Sequence, residues 1–338
     1  MLSPQIHAAT LNSASSIEQL KNIYSIVQDK QGFIWMAGQR GLIRYDGKSL
    51  VHYSASSSQW NIPYTWINDI SLSDNDQLVV STENGSVNLF DTKTGSNQKL
   101  AIDLPPSSIY QHLLVGNNIF FYMPGSDSLY RNNLQTQKTQ LIANGLSVKS
   151  LFTRNHGIYF YTQRAVYKIE EQLVSKIFEG KIKNVVSDDN HLYVATDNGL
   201  TKLHDDKIIK AKTLDKKTKH LIVANDNESL FLLYDDNTID YFSNNLDRLK
   251  SPFKKHPYKS VRKIFHDRSN VLWLYGNQGV YKLSPNHIQD NPRYFDVHIN
   301  AIGLTKVQNE VAIASYGAGL QPFNDTSAFT EAFQKANQ

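Results

Sequence analysis

One phrase recurs along the chain at intervals of about 40 residues. It consists of an apolar stretch, an acidic turn, a second apolar stretch, a glycine-containing turn and a third apolar stretch. The clearest copies are Ile26–Gly47 and Ile264–Leu283, each with a tryptophan in its second stretch. Because this period holds three or four short strands, the repeat predicts the blades of a β-propeller. The copies are anchored at Trp35, Val79, Phe120, Tyr159, Tyr193, Phe231, Trp273 and Ala312.

The predicted fold class is all-β, with four-stranded antiparallel blades in a single β-propeller that occupies residues 23–325. Residues 1–22 form an N-terminal tail that could hold a residual signal peptide and a closing strand, and residues 326–338 form a C-terminal tail. Eight units are counted, but the eighth is degenerate and could belong to a neighbouring structure in a longer protein. The sequence therefore leaves seven and eight blades open.

The first unit shows how one blade is built. Strands are expected at Ile23–Val27, Phe33–Ala37 and Leu42–Tyr45, with an outer fourth strand at Ser49–Tyr53. The second strand is almost wholly apolar, which suits packing against neighbouring blades on both of its faces. We therefore expect Trp35, and its counterpart Trp273 in the seventh unit, to be buried between blades.

The acidic turns admit two interpretations. Carboxylates such as Asp29, Asp188 and Asp267 could bind calcium, but none lies in the spaced ligand set with a terminal glutamate that a calcium loop requires. Asp and Asn in a hairpin turn also accept hydrogen bonds from their own backbone. We favour this second role, and we predict no metal site.

Composition excludes several kinds of chemistry. The chain of 338 residues contains no cysteine, which rules out disulfides and thiol catalysis. Its net charge of +4 is spread along the sequence, and the basic stretch Lys207–Lys219 is better explained as a solvated edge than as a nucleic-acid groove. No nucleophile elbow, zinc motif, P-loop or dinucleotide fingerprint occurs. We expect no catalytic residue, no cofactor and no nucleic-acid partner.

The N-terminus also has two interpretations. Met1–Thr10 resembles the end of a secretory signal, with small residues at a cleavage site but without the basic and long apolar regions. An ordinary disordered start would look the same.

Units 1 and 7 resemble the repeats of the two-component regulator propeller family. Unit 5 matches the second half of the pattern at Asp197–Leu203, whereas units 3, 4, 6 and 8 keep only the strand-turn-strand outline. The specific resemblance covers about a third of the chain. In unit 1 the matching residues are Ile26, Asp29, Gly32, Ile34, Trp35, Gly38, Gly41, Leu42, Arg44, Tyr45 and Asp46.

This resemblance implies a function as well as a fold. Similar proteins are extracytoplasmic sensors of bacterial membrane receptors, many of which recognise carbohydrate fragments. For this chain the resemblance implies a periplasmic location and an oligosaccharide or other small polar ligand. It also implies a cytoplasmic kinase or GGDEF output domain and dimerisation through the full-length receptor. A propeller enzyme acting on glycans and a protein-binding scaffold remain alternatives.

A ligand is expected at one mouth of the central channel. Strand alternation places the turns between second and third strands on the same face as the links between blades. Aromatic rings beside arginine suit a polar ligand, because rings cover C–H faces while fixed donors bind hydroxyls. The alternative is that the tryptophans of the link fill the core or cover an edge. The predicted ligand-binding residues are Arg40, Trp60, Tyr64, Trp66, Arg164 and Tyr316.

Overall fold

The computed structural model describes most of the chain, and every regular element in the described part is a β-strand, with no α-helix. The chain divides into two units, Met1–Asn286 and His287–Gln338. No helix of the described residues is long and apolar enough to cross a membrane. The described residues are 20–47, 49–53, 66–102, 109, 111–171, 173–253, 255–256 and 258–285, together with the backbone of 300–307, 310–316 and 319–322.

The first unit contains seven antiparallel sheets, each made of strands consecutive in the chain. Blade 1 comprises β1 (Ile23–Gln28), β2 (Ile34–Gly38), β3 (Gly41–Tyr45) and β4 (Leu50–Tyr53). Blade 2 comprises β5 (Ile67–Leu72), β6 (Gln77–Thr82), β7 (Val87–Asp91) and β8 (Asn97–Lys99). Blade 3 comprises β9 (Gln111–Val115), β10 (Asn118–Met123), β11 (Ser128–Asn133) and β12 (Lys138–Asn144). Blade 4 comprises β13 (Ser150–Arg154), β14 (Gly157–Tyr161), β15 (Ala165–Glu170) and β16 (Leu173–Glu179).

The remaining blades follow the same order. Blade 5 comprises β17 (Ile182–Ser187), β18 (His191–Thr196), β19 (Gly199–His204) and β20 (Lys207–Thr213). Blade 6 comprises β21 (Thr218–Val223), β22 (Ser229–Tyr234), β23 (Ile239–Ser243) and β24 (Arg248–Leu249). Blade 7 has three described strands, β25 (Val261–His266), β26 (Leu272–Gly276) and β27 (Gly279–Leu283).

The second unit contains the eighth repeat as a separate sheet. It has three described strands, β28 (Asn300–Val307), β29 (Glu310–Tyr316) and β30 (Gly319–Pro322). The sequence assigned residues 23–325 to the propeller, whereas the compact unit that contains the seven blades ends at Asn286. Of the two tails expected from the sequence, residues 1–19, which include the signal-like start, and residues 326–338 lie outside the described residues.

Seven apolar clusters join the blades in a ring. Each cluster combines residues of two neighbouring blades, and one of them packs Ile26 and Met36 of blade 1 against Trp273 and Tyr275 of blade 7. Blade 7 therefore meets blade 1 directly, and seven blades close the propeller. The predicted all-β propeller is confirmed, with seven blades rather than eight.

The second strand of each blade is the most buried element. Every residue of β2, β22 and β26 is buried, as expected for strands packed on both faces. Trp35 and Trp273 are 0% and 1% exposed, which confirms their predicted burial. The strands of unit 1 also agree with the predicted bounds to within one residue.

The acidic turns hold the tryptophans as well as the backbone. One carboxylate oxygen of Asp29 accepts from the backbone N–H of Phe33 (2.9 Å), and the other accepts from the Trp35 indole N–H (2.7 Å). Asp267 repeats the arrangement, with the Val271 N–H at 3.0 Å and the Trp273 indole at 2.7 Å. The predicted capping role is confirmed for both carboxylates, and each also satisfies the one polar atom of a buried tryptophan.

Candidate functional site at the channel mouth

One face of the ring carries the links between blades together with the turns between second and third strands. The N–H of Glu83, in the turn after β6, donates to the carbonyl oxygen of Trp66 in the link before β5 (3.3 Å). Similarly, the N–H of Thr218 at the start of β21 donates to the carbonyl of Asp197 in the turn after β18 (3.0 Å). We call this face, where the innermost strands begin, the mouth face.

A cavity of about 360 Å³ opens on the mouth face. It lies where the innermost strands β1, β5, β9 and β25 begin, so blades 7, 1, 2 and 3 contribute to it. Its size is within the range of small-molecule sites. The lining residues are Ile23, Tyr24, Trp66, Asn68, Gln111, Arg262 and Lys263.

A β-bulge recurs where the innermost strands begin, around the edge of the mouth face that we call the rim. In five blades the pairing between the first and second strands skips the second residue of the innermost strand. A bulge re-aims the extra side chain and is common beside functional sites. Three of the skipped residues line the cavity, and the other two occupy the same position in blades 5 and 6. The five residues are Tyr24, Asn68, Lys183, Lys219 and Arg262.

The basic side chains on this rim have different partners. The Lys183 ammonium pairs with Asp197 at 3.0 Å, and this contact, with Lys181 and Lys217 nearby, holds the pKa of Asp197 below its usual range. The Lys263 ammonium donates to the Tyr24 carbonyl across the junction of blades 7 and 1 (3.0 Å). Arg262 is exposed and forms no ion pair with a carboxylate of the described residues.

The charge of Lys263 also acts on a buried histidine of blade 6, His220. Burial, with the positive charge of Lys263 as a second cause, lowers the pKa of His220 to about 3. The neutral His220 ring accepts a hydrogen bond at Nδ1 from the Ile264 N–H (3.4 Å). His220 is therefore a neutral structural acceptor and not an acid–base group at neutral pH.

The structure places the residues predicted for ligand binding at different positions. Trp66, 36% exposed, lines the cavity. Arg40 and Arg164 are exposed in mouth-face turns of blades 1 and 4 but do not line it. Trp60 and Tyr64 lie outside the described residues, and Tyr316 ends β29 of the second unit. The proposed role of these side chains in binding remains a prediction.

Sequence reasoning missed most of the cavity lining. Tyr24, Asn68 and Arg262 each lie two residues before the buried apolar residue at the centre of the innermost strand. Aligning the repeats at that apolar residue would have brought these positions into one column. A bulge, however, changes the strand pairing without a fixed sequence signature. The position of these three side chains at the cavity was therefore not predictable from the repeat.

Comparison with known proteins gives one family match and many structural similarities. The family described as two component regulator propeller matches residues 18–40. An uncharacterized protein of Aquifex aeolicus is 26% identical over 158 residues, which covers 43% of this chain and 38% of that protein. The chain thus spans well under two thirds of that relative.

Two groups of solved structures illustrate the shared fold. One is an extracellular domain from B. thetaiotaomicron whose name describes a hybrid two component system (17% identity, TM-score 0.63). The match covers 95% of this chain and 46% of that domain. Another is virginiamycin B lyase from Staphylococcus aureus (14% identity, TM-score 0.61), with 82% of this chain and 99% of the lyase covered. These identities establish the fold alone. The predicted resemblance is confirmed: blade 1 carries a two component regulator propeller repeat within a seven-bladed β-propeller.

Proposed function

We propose that this chain is a non-catalytic, ligand-sensing propeller in the periplasmic part of a bacterial two-component or cyclic-di-GMP receptor. The ligand is a carbohydrate fragment or another small polar molecule. It binds at the mouth face, and binding is passed to a cytoplasmic kinase or GGDEF output domain, with the full-length receptor acting as a homodimer.

The observation that carries this proposal is the cavity on the mouth face of a propeller whose first blade matches the two component regulator family. The cavity combines Trp66 with polar side chains from three other blades, so it offers a polar ligand one aromatic surface together with several hydrogen-bonding groups. The extracellular domain from B. thetaiotaomicron supports the periplasmic location, because its name places the same fold outside the cytoplasm in a hybrid two component system.

Calorimetry with pools of oligosaccharides tests the proposal. The purified chain should bind a component of the pools, and Trp66→Ala should weaken that binding at least tenfold, because burying a large apolar side chain against a ligand contributes about 1.5–3 kcal/mol. Arg40→Ala and Arg164→Ala measure how far the site extends along the turns.

Leu173→Ala is the matched control. Leu173 is an apolar side chain, 65% exposed, at the start of the outer strand β16 and outside the cavity. Binding that Trp66→Ala leaves unchanged in a variant that melts like the parent would contradict the mouth site. Conversion of any pool component into a product would contradict a purely sensory role and favour a propeller enzyme.

A further inference from the structure

The charge of the cavity lining is one-sided. Arg262 and Lys263 contribute two positive charges, and none of the described residues that line the cavity is a carboxylate. The remaining polar lining, Tyr24, Asn68 and Gln111, is neutral. A ligand that enters the cavity therefore meets positive groups on the blade 7 side and neutral donors and acceptors on the side of blades 1 to 3.

The bulges extend this asymmetry around the rim. The skipped residue of the innermost strand is basic in blades 5, 6 and 7, where it is Lys183, Lys219 and Arg262. It is neutral in blades 1 and 2, where it is Tyr24 and Asn68. Because the position is the same in each blade, the three cations occupy one consecutive arc of the mouth.

Arg262 is the cation that a ligand can use. Lys183 is paired with Asp197, and Lys263 donates to the Tyr24 carbonyl. The Arg262 guanidinium is exposed on the cavity wall and forms no ion pair within the part of the chain that the structure describes. Its planar donors fit two oxygens of a carboxylate, sulfate or phosphate group at once.

The carboxylates of the acidic turns in blades 1 and 7 lie far from this site. Asp29 and Asp267 follow the ends of the six-residue strands β1 and β25, whereas the cavity lies where those strands begin. At about 3.3 Å per residue the separation approaches 20 Å, which exceeds the screening length of physiological salt. Asp69, next to Asn68, is the nearest carboxylate along β5. Its negative charge favours the protonated forms of Tyr275 and His112.

We propose that the mouth cavity selects a small, ring-containing ligand with one anionic group, which Arg262 binds while Trp66 covers the ring. This inference rests on the proposed function and adds the charge of the ligand to it. A cavity of about 360 Å³ limits the ligand to roughly one or two sugar-sized rings.

Matched pairs of probes test the inference by calorimetry with the purified chain. Glucuronate and glucose differ by a carboxylate, and glucose 6-phosphate and glucose 6-sulfate represent the other two anionic groups. At least one anionic probe should bind about tenfold or more tightly than glucose, as expected for a charge-assisted hydrogen bond. The probe whose affinity exceeds that of glucose by the largest factor shows whether the ligand carries a carboxylate, a phosphate or a sulfate.

Variants separate a local contact from a general effect of charge. Arg262→Gln should lower affinity for the preferred anionic probe about tenfold or more and leave binding of glucose unchanged. Arg262→Lys should retain part of the affinity difference between the anionic probe and glucose. Lys149→Gln removes a positive charge from the link before β13, on the mouth face of blade 4, which contributes no described residue to the cavity. It should change affinity less than about twofold, because an exposed charge outside the site is screened.

The outcomes distinguish the two proposals. Equal affinity for neutral and anionic probes, with no effect of Arg262→Gln, would overturn the anionic selectivity and leave the sensing function standing. An equal loss in Arg262→Gln and Lys149→Gln would show attraction by overall charge and would also overturn it. Failure of every neutral and anionic probe and pool to bind would overturn both proposals.

Discussion

At the scale of single residues, the pair formed by Asp29 and Trp35 shows why the repeat needs both. The tryptophan fills the space between blades 1 and 2, against Tyr53 and Phe90 at ring distances of 5.4 and 5.5 Å. Its indole N–H would be buried without a partner if Asp29 did not accept from it. The carboxylate, itself fully buried, is in turn satisfied by the backbone of its own turn.

Replacing Trp35 with alanine should therefore be strongly destabilising. We expect a loss of about 3–5 kcal/mol in the free energy of unfolding, since a large buried side chain is removed and Asp29 loses a donor. Denaturant titration measures it. Trp66→Ala is the matched control, because Trp66 is 36% exposed, and should cost about 1 kcal/mol or less. A loss below about 1 kcal/mol for Trp35→Ala would show that its packing does not stabilise the blade.

At the scale of the strand, close packing of backbones explains the glycines that end β2 and β26. A Cβ atom on Gly38 would lie 2.0 Å from the carbonyl oxygen of Asn22, and one on Gly276 would lie 2.8 Å from that of Ser260. Asn22 and Ser260 immediately precede the innermost strands, so the glycines allow β1 and β25 to begin close beside their neighbours.

Gly38→Ala should consequently destabilise the protein by about 1–3 kcal/mol or more, because the clash involves backbone that cannot rotate away. Gly180→Ala is a suitable control, since its nearest contact is the Phe178 ring at 3.2 Å and a side chain can adjust. Thermal melts of both variants give the comparison. If the two melted alike, the approach of Asn22 to Gly38 would not constrain the blade.

The sequence predicted the strands of unit 1 well, but it did not predict the bond between Trp35 and Asp29 or most of the cavity lining. Alternation of apolar runs and turn residues located the strands of unit 1, because burial of β2 on both faces leaves a strong pattern. The indole bond to Asp29 was not predicted, since the turn role alone accounts for an aspartate there. The cavity was predicted only through Trp66, because the bulges that aim Tyr24, Asn68 and Arg262 depend on pairing.

At the scale of the whole molecule, buried histidines make the ring sensitive to acid. Burial is the first cause that lowers the pKa of His112, His220, His256 and His266, and the pKa of His220 falls to about 3. An unfolded histidine has a pKa of about 6.5, so below that pH the unfolded chain binds more protons than the folded one. Stability is thus fully present above about pH 6.5 and is lost as the pH falls.

We expect the free energy of unfolding to decrease between pH 7.5 and pH 5, with His220 contributing up to about 2 kcal/mol at pH 5. His220→Gln should reduce this slope, as measured by denaturant unfolding at several pH values. A stability that stays constant over this range in the parent would contradict the assignment.

The junction of blades 7 and 1 has a mechanical consequence. Each described blade is made of consecutive strands, so in the described residues these two blades share no strand and are held by packing and by bonds such as that from Lys263 to Tyr24. Among the described residues, a force that pulls the two ends of the ring apart would therefore part this junction before it unravels any of the described sheets. Since Ile23 and Tyr24 lie on one side of the junction and Arg262 and Lys263 on the other, an occupant of the cavity bridges it. In a single-molecule pulling experiment, the first rupture should move to higher force when the cavity is filled.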